Sequence, residues 1–168
     1  MVPGKDREWQ TFIEAVEKIS PSNTPILIQG GSDSCRENLA KAAHGFSPRR
    51  NAAFEVVHCA RFSSDELERT LFGDQNNKNG LILTADGGTL FLDSIEACRG
   101  PLQLRLSRML DQGWSHETKE GETTTANVRL IVGTTCNLQT MVWAGQFLDD
   151  LLYRINTITL RIPPVPEG

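Results

Sequence analysis

Short apolar runs alternate with amphipathic stretches along this chain, and their order predicts a layered fold. Residues 7–19 place Trp9, Phe12 and Val16 at helical spacing with charged residues between them, which is typical of a helix with one buried face. A break rich in Ser and Pro follows, and then the apolar run 26–28, which is typical of a short buried strand. The same alternation predicts strands at 54–58, 89–93, 128–133 and 157–162 and helices at 37–44, 63–71, 99–112, 138–143 and 148–153.

Strands that alternate with helices predict an α/β fold, in which helices cover both faces of a parallel sheet. The polar stretch 114–125, rich in Thr and Glu with Gly121 in its middle, predicts a hairpin. Residues 74–79 form a polar connection without a structural signal. At 168 residues the chain has the length of one domain, 1–168, and can bury a full core.

The composition limits what the chain is expected to bind. A net charge of −4 without a block of Lys or Arg argues against a direct grip on a nucleic-acid backbone. No apolar run reaches membrane-spanning length and the N-terminus lacks the apolar core of a signal peptide, so we expect a cytoplasmic protein with no membrane partner. The four cysteines form no C-x-x-C pair, which favours free thiols over a zinc site.

Two segments carry the candidate chemistry. Strand, Gly-rich turn and helix follow one another over 26–44, which is the layout of a phosphate-binding loop. The run 89–93 ends on Asp93, and the carboxyl ends of buried parallel strands face the ligand crevice of an α/β sheet. In a nucleotide hydrolase this Asp helps to hold Mg²⁺ and the acidic residue after it polarises the attacking water. Here that next residue is Ser94.

Taken together, these segments resemble the AAA+ core of bacterial sigma-54-dependent transcription activators. The most specific matches are Leu71-Phe72-Gly73 and the runs 85–93 (ADGGTLFLD), 128–131 (VRLI) and 150–156 (DLLYRIN), and residues 161–164 resemble the exit from the family's α/β subdomain. The resemblance covers nearly the whole chain. It implies a P-loop NTPase-like three-layer αβα sandwich with a five-stranded, mainly parallel sheet. The family's helical lid is missing, so we expect 1–168 to form a single degenerate AAA+ α/β subdomain.

The resemblance also assigns a nucleotide site, and this chain departs from the family at that site. The phosphate loop corresponds to Gly30, Gly31, Ser32, Asp33, Ser34, Cys35, Arg36 and Glu37. Asp33 and Cys35 stand where the family has glycine, and Arg36 stands where it has lysine. A Cβ at a glycine position obstructs the approach of phosphate to the backbone N–H groups. Asp33 adds charge repulsion, roughly 4 kcal/mol for two unit charges ~4 Å apart at an effective dielectric of ~20.

The residues that would support hydrolysis differ as well. Ser94 replaces the acid that follows the strand Asp93, and Thr135 stands at the Asn of the family's sensor motif. Leu148 stands at the first of two arginine fingers, which leaves Arg154 as the remaining finger-like residue. Because these changes fall on the cradle, the water-orienting acid, the sensor and the finger together, we predict a pseudo-ATPase without catalytic residues.

The partners and cofactors follow from the same resemblance. Between Gly73 and Gly80 the chain has six residues, where the family carries a longer insertion with the motif GAFTGA that contacts sigma-54. We therefore do not expect an activating stroke on sigma-54 polymerase. The expected partner is the chain itself, as a homo-oligomer or ring, or else a homologous AAA+ protein. RNA polymerase is a further possibility, and DNA would be contacted only through a domain absent from this chain. No cofactor is expected.

Several alternatives stay open at this point. The chain is alternatively a slow or non-hydrolysing Mg-ATP-binding switch that uses Arg36, Asp93 and Arg154, in which case Asp93 is the metal ligand. A different small anion held by Arg36 and the helix N-terminus is a third possibility. Structural interpretations stand beside these: Asp33 and Ser34 as turn and N-cap residues, and Arg36 paired with Asp33 or Asp93. Arg154 is alternatively a salt-bridge partner, and Asp93 a strand-end cap.

Overall fold

A computed structural model describes residues 3–74, 80–117 and 123–163 of this chain. Its central sheet has five strands in the spatial order β2-β3-β6-β1-β7, and all four pairings are parallel. A separate antiparallel pair, β4 with β5, forms the predicted hairpin. The strands are β1 (Ile26–Gln29), β2 (Phe54–His58), β3 (Thr89–Asp93), β4 (Ser115–Glu117), β5 (Thr123–Thr125), β6 (Arg129–Thr134) and β7 (Ile158–Arg161). The predicted five-stranded parallel sheet is confirmed.

The helices lie close to the predicted segments, with three main differences. The first helix begins at Pro3, four residues before the predicted start at residue 7. The helix after β1 begins at Asp33, four residues before the predicted start at Glu37. A single helical turn at Leu81–Thr84 was not predicted, because four residues are too few to show helical periodicity. The helices are α1 (Pro3–Ile19), α2 (Asp33–Gly45), α3 (Ser64–Phe72), α4 (Leu81–Thr84), α5 (Gly100–Asp111), α6 (Leu138–Trp143) and α7 (Asp149–Ile155), with 3₁₀ turns at Cys59–Arg61 and Ile95–Ala97.

Alternating side chains of the strands build two apolar layers, one on each face of the sheet. Along β3, Leu90 and Leu92 face the cluster that contains α3, α5 and α7, whereas Phe91 faces the cluster that contains α1 and α2. Strand β3 is buried at every position, as expected of a strand covered on both faces. The α/β sandwich of three layers is thereby confirmed. No helix in the described ranges has the length and hydropathy to span a membrane.

Helix α2 is attached to β3 at its C-terminal end by a buried histidine. One ring nitrogen of His44, Nδ1, lies 2.8 Å from Thr89 Oγ1, and the other, Nε2, lies 3.1 Å from the carbonyl oxygen of Ala52. Neutral imidazole fits both contacts, since one nitrogen accepts from the Thr89 hydroxyl and the other donates to the carbonyl. Burial lowers the pKa of His44, and the nearby charges of Arg129 and Arg49 act in the same direction.

The connection that follows α3 closes tightly at Gly80. A Cβ built on Gly80 would lie 2.3 Å from the carbonyl oxygen of Leu71 and 2.5 Å from the amide nitrogen of Gly73. Both are backbone atoms, so only glycine fits this approach. Residues 75–79 lie outside the described residues. They make up most of the connection predicted at 74–79, so the structure does not test that connection or the predicted absence of the GAFTGA insertion.

The pKa of His44 predicts a specific loss of stability in mild acid. The unfolded chain takes up a proton on His44 below about pH 6.5, whereas the folded chain resists it until a lower pH. The free energy of unfolding therefore falls as the pH drops from about 6.5 toward the folded pKa. Urea unfolding at about pH 7.5 and about pH 5.5 should show a smaller decrease for His44→Gln than for the wild type, because Gln does not titrate. Equal decreases would contradict this assignment.

Substitution of Gly80 should destabilise the fold. Gly80→Ala forces the backbone of 71–73 to shift, and we expect it to lower the free energy of unfolding by about 1–3 kcal/mol. Gly45→Ala is the matched control, because a Cβ at Gly45 meets no atom within 4 Å. Urea unfolding of both variants measures the difference, and equal stability of the two would show that the approach of Gly80 does not require glycine.

Candidate functional site

The turn that joins β1 to α2 is only three residues long, Gly30, Gly31 and Ser32. Gly30 and Gly31 have φ of 94° and 68°, in the left-handed region that favours glycine. The Ser32 hydroxyl caps the helix by accepting a hydrogen bond from the amide of Cys35 at 3.1 Å. The prediction of an N-cap at Asp33 or Ser34 is therefore wrong.

The early helix start changes what the phosphate-loop positions do. Asp33, Ser34 and Cys35 form the first turn of α2 instead of an open loop. The physical reason lies in the residue types: a Ser cap followed by an acidic first turn favours helix, and these residues lack the conformational freedom of glycine. Gly31, Ser32, Asp33 and Ser34 are exposed, whereas Cys35 and Glu37 are half-buried.

The Arg36 side chain folds beneath this turn and donates five hydrogen bonds. Its Nε donates to Asp93 Oδ1 at 2.7 Å, and its Nη2 donates to Asp93 Oδ2 at 3.2 Å and to Asp33 Oδ1 at 2.5 Å. Its Nη1 donates to the carbonyl oxygens of Gly30 at 3.2 Å and of Gly31 at 2.9 Å. A guanidinium carries five N–H donors, so all of them are used within the chain. Of the alternative partners, Asp33 and Asp93, the structure uses both.

Burial distinguishes the two carboxylates. The side chains of Arg36 and Asp93 are 1% and 0% exposed, whereas that of Asp33 is 63% exposed. Burial acts to lower the pKa of Arg36, but the hydrogen bonds and charges of Asp93 and Asp33 outweigh it and raise that pKa. Arg36 therefore stays charged. Its attraction to Asp93 is weakly screened by solvent, in contrast to its attraction to Asp33.

His58 extends this network and was missed by sequence reasoning. It is the last residue of β2 and lies opposite Asp93 in the register of the sheet. Its Nε2 lies 3.1 Å from Glu37 Oε1, and its Nδ1 lies 3.5 Å from Asp93 Oδ2. Burial acts to raise the pKa of Glu37, but hydrogen bonds from Lys41 and His58 outweigh it and lower that pKa. The signal that would have found His58 is its place at the end of the strand next to β3.

Two further predicted residues, Ser94 and Thr135, directly follow the carboxyl ends of β3 and β6. Ser94 follows Asp93 directly, is half-buried and has a left-handed backbone (φ 55°), which is uncommon for a residue with a side chain. Thr135 is exposed just beyond β6, and the hydroxyl of the preceding Thr134 donates to Glu96 at 3.0 Å.

Arg154 lies far from the turn, on α7. It lines a groove of about 550 Å³ together with Asn23, Pro25 and Val128, which precede strands at the opposite, amino edge of the sheet. Its Nη2 donates to Asp111 at 2.7 Å, an ion pair between side chains that are 33% and 62% exposed. The predicted loop residues and Asp93 therefore come together, whereas Arg154 does not join them within one chain.

The sequence of this chain matches a family model described as the sigma-54 interaction domain over residues 2–161. The chain belongs to the sigma-54 interaction domain family. Two similar relatives are Nif-specific regulatory proteins. The one from Sinorhizobium fredii (strain NBRC 101917 / NGR234) is 35% identical, over 99% of this chain and 29% of that protein. The one from Klebsiella pneumoniae is 34% identical, over 98% of this chain and 33% of that protein.

Two solved structures have a similar fold. The crystal structure of NtrX from Brucella abortus in complex with ATP has a TM-score of 0.86 and 30% identity, covering 92% of this chain and 36% of that chain. The P-loop NTPase domain of a sigma-54 activator from E. coli has a TM-score of 0.60 at 19% identity, which supports the fold alone, over 84% of this chain and 98% of that chain. This chain spans between 26% and 49% of the length of the curated relatives it matches.

The burial of the ion pair predicts unequal effects of its members on stability. Arg36→Met leaves Asp93 buried without its cationic partner and should lower the free energy of unfolding by about 3–5 kcal/mol. Asp33→Asn removes only an exposed charge and should cost less than about 1 kcal/mol. Urea unfolding of both variants at neutral pH measures the two effects. Similar costs for the two substitutions would show that Asp93 does not depend on Arg36.

Proposed function

We propose that this chain is a regulatory AAA+ module of a transcription regulator that acts through oligomerisation or other protein contacts as a pseudo-ATPase. The observation that carries the proposal is the Arg36 guanidinium, which fills the space beneath the turn and is fully hydrogen-bonded by the chain itself. The module would contact a second copy of itself or a homologous AAA+ protein, and RNA polymerase through that assembly.

The geometry of the turn opposes phosphate binding. A phosphate-binding loop surrounds its ligand with backbone N–H groups, and its cation reaches the phosphate oxygens. In this chain the carbonyl groups of Gly30 and Gly31 accept from the guanidinium, so the turn already binds a cation. A phosphate that bound Arg36 would break these bonds and would leave Asp93, which is completely buried, without its cationic partner. It would also approach Asp33.

The residues around the site offer little to hydrolysis. Ser94 carries no carboxylate to polarise a water molecule, and Thr135 lacks the amide of the family's sensor residue. Leu148 stands at one arginine-finger position, and Arg154, at the other, is paired with Asp111 of its own chain. An arginine finger accelerates phosphoryl transfer by a factor of roughly 10³–10⁵ in enzymes that use one. Loss of these groups together supports an inactive site.

The short connection after α3 supports an action that does not involve the family's sigma-54 contact. Only six residues separate Gly73 from Gly80, and the backbone of Gly80 lies directly against that of 71–73. We infer that the GAFTGA loop is absent. Contact with DNA would then come from a domain outside this chain.

A second candidate function is a switch that binds Mg-ATP and hydrolyses it slowly or not at all. Two observations favour it: Asp33 is 63% exposed, so solvent could replace its hydrogen bond to Arg36 if the carboxylate turned outward, and the structurally similar NtrX was crystallised with ATP. In this case Arg36 would exchange its bonds to the turn for bonds to phosphate, and Asp93 would ligate Mg²⁺.

Calorimetric titration of the chain with Mg-ATP and with Mg-ADP at millimolar nucleotide separates the two candidates. We expect no saturable heat and no shift in the melting temperature. Saturable binding would contradict the pseudo-ATPase and support the nucleotide switch.

Restoring the family residues should open the site. The variant Asp33→Gly, Cys35→Gly, Arg36→Lys and Ser94→Glu removes the carboxylate and the Cβ atoms from the turn and returns an ammonium and an acid. We expect this variant to bind Mg-ATP in the same titration, with Gly45→Ala as a control that should bind no better than the wild type. If the variant folds, as judged by circular dichroism, but binds no nucleotide, the site has been placed wrongly.

A further inference from the structure

Gly133, on β6, lies beside Asp93 at the carboxyl edge of the sheet. Strands β3 and β6 are parallel neighbours with Leu92 opposite Val132, so the next residues along, Asp93 and Gly133, are adjacent. A Cβ built on Gly133 would lie 2.3 Å from Asp93 Oδ1. This distance is far below a van der Waals contact, and the atom it meets is the oxygen that accepts from Arg36 Nε at 2.7 Å.

We propose that Gly133 is a positioning residue, which allows the Asp93 carboxylate to bind Arg36 beneath the turn. Because Gly133 has no side chain, the Asp93 carboxylate leans over β6 and reaches the guanidinium with both oxygens. Any larger residue at this position would push Oδ1 away from Arg36. The inference deepens the proposed function and rests on it, since it names the residue that controls whether Arg36 or a ligand occupies the space beneath the turn.

The surroundings leave the two side chains little room to adjust. Asp93 is 0% exposed, so its carboxylate has no solvent to turn into. Arg36 is held from three further directions by Gly30, Gly31 and Asp33, so it cannot simply follow a displaced carboxylate. A displaced Asp93 would remain buried with a weakened partner, which is an expensive arrangement for a charge.

A second contact has to be separated from this effect. The same Cβ would lie 3.1 Å from the Cε1 and Cζ atoms of Phe91, which is tighter than an ordinary contact. A loss of stability in Gly133→Ala alone would therefore not identify Asp93 as the cause. The coupling between the two positions does, because the Phe91 contact is the same whether or not the carboxylate is present.

The test is a double-mutant cycle of Gly133→Ala and Asp93→Ala, followed by urea unfolding. We expect Gly133→Ala to lower the unfolding midpoint in the wild type and to lower it clearly less in Asp93→Ala, where the colliding oxygen is absent and only the Phe91 contact remains. Recovery of folding by the double variant, if Gly133→Ala alone does not fold, supports the proposal equally. An equal decrease in both backgrounds would overturn it. Gly45→Ala is the matched control, because its Cβ meets no atom within 4 Å and its effect should be the same in both backgrounds.

A second measurement covers the case in which Asp93→Ala does not fold. The ¹⁵N-detected Nε–H signal of Arg36, assigned by its loss in Arg36→Met, reports directly on the hydrogen bond to Asp93. Its hydrogen exchange should be faster by about tenfold or more in Gly133→Ala than in the wild type. Unchanged exchange would overturn the proposal. Nucleotide binding by the wild-type chain would contradict the proposed function without altering either outcome, so the two proposals fail separately.

Discussion

The buried ion pair between Arg36 and Asp93 is the interaction on which the site and its surroundings depend. It fastens the first turn of α2 to the end of β3, while His44 fastens the other end of the same helix to the start of that strand. Buried ion pairs add little net stability, because desolvation offsets the attraction. Their influence is on geometry: once Arg36 is fixed by Asp93, its remaining donors set the path of the turn through Gly30 and Gly31.

Carboxylates surround Arg36 at this edge of the sheet. A nucleotide site presents a surplus of positive charge to the phosphates. Here the Arg36 guanidinium lies between the carboxylates of Asp33 and Asp93, and His58 links a third carboxylate, that of Glu37, to the cluster. Hydrogen-bond acceptors with negative charge therefore predominate around this guanidinium. The strands and helices are those expected of the family, whereas the charge at this edge comes from a few side chains. The fold alone therefore does not decide the chemistry of the site.

The sequence predicted the architecture well, because each buried strand is a short apolar run and each long helix has one apolar face. Leu90 to Leu92 and the run 130–132 are examples in which the pattern and the burial agree. It predicted the site less completely. Three consecutive residues can cap a helix, and only the structure selects Ser32. Arg36 and Asp93 are separated by 57 positions, and their pairing was one of several options. The roles of His58 and Gly133 arise from strand register, which local patterns do not specify.

The mutual dependence of these residues also bears on how such a domain changes over generations. Replacing Arg36 first leaves Asp93 buried without a partner, and enlarging Gly133 first forces the carboxylate away from its partner. Each of these substitutions made alone is therefore expected to give a less stable protein, although the combined change need not be unstable. The residues of the three-residue turn and the guanidinium beneath it are therefore expected to change together more readily than one at a time.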